Sequence, residues 1–172
     1  MELHFLTPAS PFLEQARQLY IQAFPACERR DGENMIPENP LFRPAVLRED
    51  QAFCGILFYW EGPDHLFLEH FAIAPQKRNA GLGAKALALL KELGKPIVLE
   101  IEPPQDALTC RRKGFYGRSG FLENPWQHIQ PKYRFGDAGL PLALLSYPKT
   151  LTEAQWQRFE AFLEENVAWR PR

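Results

Sequence analysis

The feature that most constrains the fold of this chain is a glycine-containing segment with two adjacent cations, Gln76–Ala84. It follows an apolar strand pattern over Leu66–Ile73 and leads into an amphipathic helix pattern that begins at Leu82. Glycines let the backbone approach a ligand closely, and the first N–H groups of a helix attract an anion. Lys77 and Arg78 add formal positive charge beside them. The segment therefore predicts a site for an anionic group such as a pyrophosphate.

The rest of the chain predicts the elements around this segment. Ser10 followed by Pro11 is typical of a helix start, and Thr152 with Gln155 forms a capping box for a last helix. Strand patterns cover Glu2–Leu6, Ala45–Arg48, Ala52–Trp60, Leu66–Ile73, Ile97–Ile101, His128–Phe135 and Leu140–Tyr147, and further helix patterns cover Leu82–Leu93 and Asp106–Ser119. This order predicts an α/β (α+β) fold with one mixed, mostly antiparallel sheet of six to seven strands and helices on both faces. The length of 172 residues suits a single domain over residues 1–172.

Composition excludes several classes of function. A formal net charge of −1 gives no general attraction to nucleic acid or to an anionic membrane. The longest apolar runs are far shorter than the ~18 residues of a membrane span, and no signal peptide is visible at the amino terminus. Three scattered cysteines suit a reducing compartment, so we expect a cytoplasmic protein. The four histidines never pair with cysteines at zinc-finger spacing, so we expect no metal site.

A dinucleotide-binding interpretation of the same glycines competes with the anion site. The run Gly81–Ala86 fits G-x-G-x-x-A, and Glu100 follows about twenty residues later at a strand. In that motif the first glycine leaves its strand directly, whereas here Pro75–Ala80 intervene. Antiparallel strands precede the segment and a hairpin follows it, which does not suit a parallel doubly wound sheet. A nicotinamide or flavin enzyme is therefore the weaker hypothesis.

Two motifs of this chain match those of a known protein family. Arg78-Asn79-Ala80-Gly81-Leu82-Gly83, with a proline three residues earlier at Pro75, resembles the R-x-x-G-x-G/A signature of the GNAT family of N-acetyltransferases. The segment from Phe115 to Phe121 is similar to the family's later F-Y-x-x-x-G-F segment, and Phe24–Arg30 resembles a stretch common after its first helix. The order of elements agrees from Glu2 to Tyr147. The resemblance covers most of the chain and implies a GNAT-like fold.

The resemblance also implies a cofactor and the residues around it. In the family, acetyl-CoA places its pyrophosphate on the glycine-rich loop and pairs its pantetheine arm with the preceding strand. That strand splays from the next, here Ile97–Ile101, to form the cofactor cleft. Tyr116 matches a tyrosine that commonly protonates the departing thiolate. The cofactor-binding residues implied in this chain are Phe71, Ala72, Ile73, Lys77, Arg78, Asn79, Ala80, Gly81, Leu82, Gly83 and Ala84.

The chemistry of acetyl transfer independently asks for a base and an acid. A lysine-like amine has a pKa of about 10.4 and must lose a proton before it attacks a thioester. Glu69, on the strand that leads to the loop, is the candidate base. His70 points to the opposite face if that strand is regular, so only one of the two residues should matter. A thiolate with a pKa near 8.5 gains from a phenol donor, which suits Tyr116.

The sequence predicts an acetyl-CoA-dependent N-acetyltransferase that acts by direct transfer to an amine. The alternative is a non-catalytic module of the same fold that binds or senses acyl-CoA. The sequence leaves open whether the acceptor is a small-molecule or a protein amine, how long the acyl chain is, and whether the protein forms a homodimer. Trp126 and Tyr133 are candidates for the acceptor side by position alone. The cluster Arg111–Lys113 could contact the cofactor's phosphates or form a solvated helix face.

Overall fold

The computed structural model describes residues 1–30, 35–134, 136 and 138–168. The chain divides into two compact units, Met1–Lys95 and Pro96–Arg172. Among the described residues, no helix has the length and apolar character needed to cross a membrane.

The first unit is built on four antiparallel strands that pair in chain order. Most of β3 is fully buried because it lies between two partner strands and is apolar from Cys54 to Trp60. Helix α1 packs against β3 and β4 through its buried residues, and α2 packs against β4. The elements are β1 (Glu2–Phe5), α1 (Leu13–Ala23), a 3-10 helix (Ala26–Glu28), β2 (Phe42–Glu49), β3 (Ala52–Glu61), β4 (Leu66–Ile73), a 3-10 helix (Pro75–Lys77) and α2 (Leu82–Lys91).

The start of α1 differs from the prediction. The helix begins at Leu13, and its N-cap residue is Phe12, with no side-chain cap among the described residues. The hydroxyl of Ser10 lies 3.3 Å from Nε2 of His4, so this side chain contacts β1 and does not cap the helix. The start of α2 at Leu82 is confirmed, and Gly94, with φ +75, follows its last turn.

The second unit is organised around β8, which pairs antiparallel with three other strands. Thr152 and Gln155 form the predicted capping box at the start of α4, and Asp106 with Thr109 forms another at α3. The elements are β5 (Ile97–Ile101), α3 (Ala107–Arg118), β6 (Leu122–Glu123), β7 (His128–Ile129), β8 (Pro141–Tyr147), α4 (Glu153–Phe162) and a π-helical turn (Leu163–Val167).

The strand pattern over His128–Phe135 overestimates β7. The strand stops at Ile129, although the Gln130 N–H still donates to the Leu140 carbonyl at 2.8 Å. Phe135 and Asp137 at the predicted turn lie outside the described residues. The two-residue strand β6 is too short to produce a sequence pattern. The described residues therefore contain eight strands, whereas the prediction was six to seven, and all six pairings within the two units are antiparallel.

Candidate active site

The predicted anion loop leaves the end of β4 in a tight turn. The Ala74 N–H donates to the Cys54 carbonyl of β3 at 2.9 Å, and the Lys77 N–H donates to the Ala74 carbonyl at 2.8 Å. Nε of Arg78 donates to the Ile73 carbonyl at 3.1 Å. This bond holds the guanidinium of Arg78 at the carboxyl end of β4, while the loop residues from 75 to 81 are exposed.

The loop ends in a left-handed backbone conformation that leaves the first N–H groups of α2 without a side-chain cap. Asn79 has φ +64 and Gly81, the N-cap residue of α2, has φ +73, so both lie in the left-handed region that glycine and asparagine tolerate best. Within the described part of the chain no side chain caps α2, and its intrahelical bonding begins with Lys85 N–H to Gly81 carbonyl at 3.2 Å. The first N–H groups of this helix are therefore available to an anion.

The strand before the loop is held unusually close to its neighbour. Ile73 of β4 lies opposite Gly55 of β3, and a Cβ atom at position 55 would lie 2.3 Å from the Ala72 carbonyl oxygen. Only glycine allows this approach, because real Cβ atoms essentially never come so close to an oxygen. The half-buried residues Phe71, Ala72 and Ile73 are thus set in position by β3.

Glu69 is the residue at which β4 bulges. Phe58 pairs with His70, but the next residue of β3, Tyr59, pairs with Leu68, so Glu69 is the extra residue. A regular strand would send the side chains of Glu69 and His70 to opposite faces, but the bulge means that β4 is not regular at these residues. Nδ1 of His70 lies 3.5 Å from Oε2 of Glu69, because the bulge brings both side chains to the same side.

The carboxylate of Glu69 is fully buried and surrounded by donors. Nη1 of Arg30 donates to Oε1 at 2.7 Å, and Nε1 of Trp60 donates to Oε2 at 2.9 Å. Burial by itself would raise the pKa of Glu69, but the charge of Arg30, followed by the contacts with His70 and Trp60, holds the pKa at about 2. Glu69 is therefore ionised at neutral pH.

Tyr116 lies on α3 in an aromatic setting. Its ring meets those of Phe115 and Phe121 edge to face, with centroids 5.1 and 5.6 Å away. The residue is 8% exposed. Burial raises the pKa of Tyr116 to about 12, against a smaller opposing effect of Arg112. The phenol thus keeps its proton at neutral pH and can act as a donor.

Other candidate residues have structural contacts. Arg112 forms a salt bridge with Glu102 at 2.6 Å and Lys113 forms one with Glu123, all of them exposed to about 40%, which favours a solvated helix face. Trp126 stacks on Trp156 with centroids 5.1 Å apart. Tyr133 is buried.

Sequence reasoning missed a second buried charge cluster. His128 directs Nδ1 to Oε1 of Glu160 at 2.6 Å and Nε2 to Oε1 of Glu100, so both ring nitrogens donate and the ring is an imidazolium. Burial would lower the pKa of His128, but the bonds to the two carboxylates raise it to about 9. The three residues are 28 and 32 positions apart, which leaves no local sequence signal.

Comparisons with known proteins agree with this arrangement. The model of the Acetyltransferase (GNAT) family matches residues 12–121. A chain from Bacteroides thetaiotaomicron named "Putative acetyltransferase from GNAT family" superimposes with a TM-score of 0.89 at 28% identity, over 99% of this chain and 100% of that one. An aminoglycoside 6'-N-acetyltransferase solved with coenzyme A shares the fold, with a TM-score of 0.58 at 16% identity over 85% of this chain and 96% of that one.

A curated relative gives a more limited match. "Putative acetyltransferase YjbC" from Bacillus subtilis (strain 168) is 35% identical over 81 residues, which is 46% of this chain and 42% of the relative. The chain therefore aligns with less than half the length of that relative. With the family match, these similarities show that the chain belongs to the GNAT acetyltransferase family and has its fold.

The family to which this chain belongs uses acetyl-CoA as the acyl donor. The loop suits the pyrophosphate of this molecule, because an uncapped helix start, two left-handed residues and the cations Lys77 and Arg78 converge there. The α2 N–H groups supply fixed donors, and Arg78 is already held at the end of β4.

Proposed function

We propose that this chain is a single-domain N-acetyltransferase that moves an acetyl group from acetyl-CoA to an amine. The observation that carries the proposal is the loop from Ala74 to Gly81, which presents an uncapped helix start beside two cations directly after β4. Family membership supports acetyl transfer, and the amine acceptor is the proposed part. A cytoplasmic location and a single domain over residues 1–172 stay predictions from the sequence.

In the proposed site, the backbone of Phe71–Ile73 pairs with the pantetheine arm and the segment Lys77–Ala84 binds the phosphates. The close approach of Gly55 to Ala72 supports this role of β4, because it leaves little freedom for the strand to shift when a ligand binds. The positive end of the α2 dipole and the two side-chain cations are complementary to the negative charge of a pyrophosphate.

We assign Tyr116 as the donor to the leaving sulfur. A phenol with a pKa of about 12 is protonated at neutral pH but is a weaker acid than a thiol with a pKa near 8.5, so Tyr116 would donate a hydrogen bond to the departing thiolate and keep its own proton. Donation from Tyr116 to the sulfur would stabilise the leaving group as its charge develops. The buried aromatic surroundings of Tyr116 strengthen such a bond, since few waters compete for the phenol.

The role of Glu69 as general base stays a prediction, and its surroundings argue against it. A carboxylate with a pKa of about 2 is a weak acceptor for a proton from an ammonium with a pKa of about 10.4. Both of its oxygens already accept hydrogen bonds from Arg30 and Trp60. The acceptor would instead have to bind as the neutral amine, after its ammonium form had released the proton to the bulk solution.

Binding of acetyl-CoA tests the cofactor assignment. We would titrate the wild-type protein with acetyl-CoA and with NADH by calorimetry, and repeat both titrations on an Arg78→Ala, Gly81→Glu double variant. We expect micromolar affinity for acetyl-CoA, weakened at least about tenfold in the variant, because each lost charged contact is worth ~1.5–3 kcal/mol. Arg17→Ala, which removes an exposed cation of α1, is the matched control and should bind normally.

Turnover tests the enzymatic assignment. Thiol release would be followed with a panel of polyamines, aminoglycosides, amino acids and peptide amines. Tyr116→Phe should lower kcat by about 10²-fold or more with unchanged affinity for acetyl-CoA. NADH binding in place of acetyl-CoA would revive the dinucleotide hypothesis. Acetyl-CoA binding without transfer to any amine would instead favour the acyl-CoA sensor, which no contact among the described residues supports.

A further inference from the structure

The bulge at Glu69 faces a short segment that follows α1, the residues 26–30. Nε2 of His70 donates to the Glu28 carbonyl at 2.9 Å, because a carbonyl oxygen can only accept. The backbone N–H of Arg30 donates to the hydroxyl of Tyr20 at 2.9 Å. Nε of Arg29 donates to the Phe24 carbonyl at 3.1 Å. The segment is thus fastened to α1 and to β4, and the bulge supplies the contacts on β4.

The strongest of these contacts is the ion pair between Arg30 and Glu69. The N–O distance is 2.7 Å, and the side chains are 11% and 0% exposed. The guanidinium of Arg30 lies between aromatic surfaces, 5.9 Å from the ring centroid of Phe42 and 5.5 Å from that of Trp60. Such cation–π contacts and the buried carboxylate hold the arginine in one place. In surface salt bridges such as Arg43–Glu61 and Arg48–Glu2, by contrast, at least one side chain is more than a third exposed.

A general base would need an oxygen that the acceptor amine can reach. Oε1 of Glu69 accepts from Arg30, and Oε2 accepts from Trp60 with His70 beside it. The side chain presents no surface to solvent. The acceptor could approach this carboxylate only after the ion pair opened, which the surrounding rings oppose.

We propose that Glu69 and Arg30 are positioning residues that anchor the segment 26–30 to β4, and that this anchored segment forms part of the acceptor site. The proposal rests on the proposed function, because Glu69 lies two residues before Phe71, where the strand is proposed to meet the pantetheine arm. The anchor holds the segment beside the strand along which the thioester would lie. The acceptor then binds as the neutral amine, its ammonium form having released the proton to the bulk solution, and the carboxylate of Glu69 stays ionised and paired throughout.

A double-mutant cycle on Glu69→Gln and Arg30→Met separates the anchor from a general base. If both residues act through one anchor, each single variant raises the KM of the acceptor by about tenfold or more with kcat little changed, and the double variant is no worse than either. The KM of acetyl-CoA and the acidic limb of the pH profile of kcat/KM for the acceptor should be retained in Glu69→Gln. Glu61→Gln, which breaks the partly exposed pair of Arg43 and Glu61, is the control and should behave as wild type.

The opposite result would overturn the proposal. A general base predicts that Glu69→Gln lowers kcat by about 10²–10⁴-fold and removes the acidic limb, while Arg30→Met retains kcat. Additive effects of the two substitutions would also contradict a shared anchor. If Arg30→Met does not fold, Arg30→Lys keeps the charge and should retain most of the acceptor affinity. Equal losses of acceptor affinity in Arg30→Lys and Glu69→Gln would show that charge does not anchor the segment.

Amide hydrogen exchange distinguishes failure of the anchor from failure of the proposed function. Residues 26–30 should exchange faster in both Glu69→Gln and Arg30→Met, and not in Glu61→Gln, whether or not an acceptor is known. Unchanged exchange would overturn the anchor even in an active enzyme. A wild-type protein that transfers no acetyl group would contradict the proposed function. Faster exchange of residues 26–30 in both Glu69→Gln and Arg30→Met would still establish the anchor in that case.

Discussion

The Glu69 cluster in the first unit and the His128 cluster in the second bury charges of opposite sign. In the first, one carboxylate accepts from Arg30 and Trp60, with His70 beside it. In the second, one imidazolium donates to two carboxylates, Glu100 and Glu160. Each central group is fully buried, so each would be costly without its partners. The two clusters obey the same rule, because in both the partners outweigh the effect of burial on the pKa.

The clusters differ in how much water reaches the partners. Arg30 is 11% exposed, whereas the side chain of Glu160 is 35% exposed and also accepts from Nε1 of Trp156 at 3.1 Å. Breaking an ion pair lowers the free energy of unfolding little when the remaining partner can turn toward water, and much when that partner is buried. Water access therefore sets the order of the effects expected below.

The largest effect is expected from Arg30→Met. This substitution leaves the carboxylate of Glu69 buried without its cation, so we expect a loss of about 3–5 kcal/mol in the free energy of unfolding at neutral pH. Urea denaturation measures it. Arg17→Met, which breaks the exposed pair of Arg17 and Glu14, should cost at most about 1 kcal/mol. Equal losses of unfolding free energy in the two variants would contradict the expected difference between a buried and an exposed ion pair.

The His128 cluster should lose stability as the solution becomes alkaline. The pKa of His128 is about 9 in the folded chain against 6.5 for the ordinary group, so its contribution is fully present below about pH 6.5 and is lost as the pH rises through 9. The shift corresponds to roughly 3 kcal/mol. Urea unfolding across this range should show the decline in the wild type. His128→Gln should lack it, and the same decline in that variant would contradict the assignment.

The Glu69 cluster should show the opposite dependence on pH. The pKa of Glu69 is about 2 in the folded chain against 4.5 for the ordinary group, so its contribution is present above about pH 4.5 and is lost as the pH falls through 2. The shift again corresponds to roughly 3 kcal/mol. We would compare acid unfolding of the wild type and Glu69→Gln. A steeper acidic loss in the wild type is expected, and parallel curves would refute it.

The smallest effects should separate the two carboxylates around His128. Glu100 is 7% exposed, so Glu100→Gln should cost about 1.5–3 kcal/mol through a lost charged hydrogen bond. Glu160→Gln should cost at most about 1 kcal/mol, because the replaced group is partly solvated and an amide oxygen can still accept from Trp156. Unfolding free energies of the two variants decide the order, and a reversed order would show that exposure does not control it.

Local patterns in the sequence predicted much of the fold. The bounds of β4 and β5 are confirmed because each is a short apolar run between turn residues. The capping box of Thr152 and Gln155 is confirmed because its two bonds join residues only three apart. The strand β7 is shorter than predicted, since Tyr133 continues the same sequence pattern but lies outside the pairing of β7 with β8.

By itself, the sequence determined the loop that suits a pyrophosphate and the family to which the chain belongs, because glycines, cations and a helix start interact over a few neighbouring residues. Only the tertiary structure decided the surroundings of Glu69. The extra residue in β4 appears when the register with β3 is known, and Arg30 is 39 positions from Glu69. Which buried charges meet depends on strand pairing across the unit, and that information is absent from any local stretch of the chain.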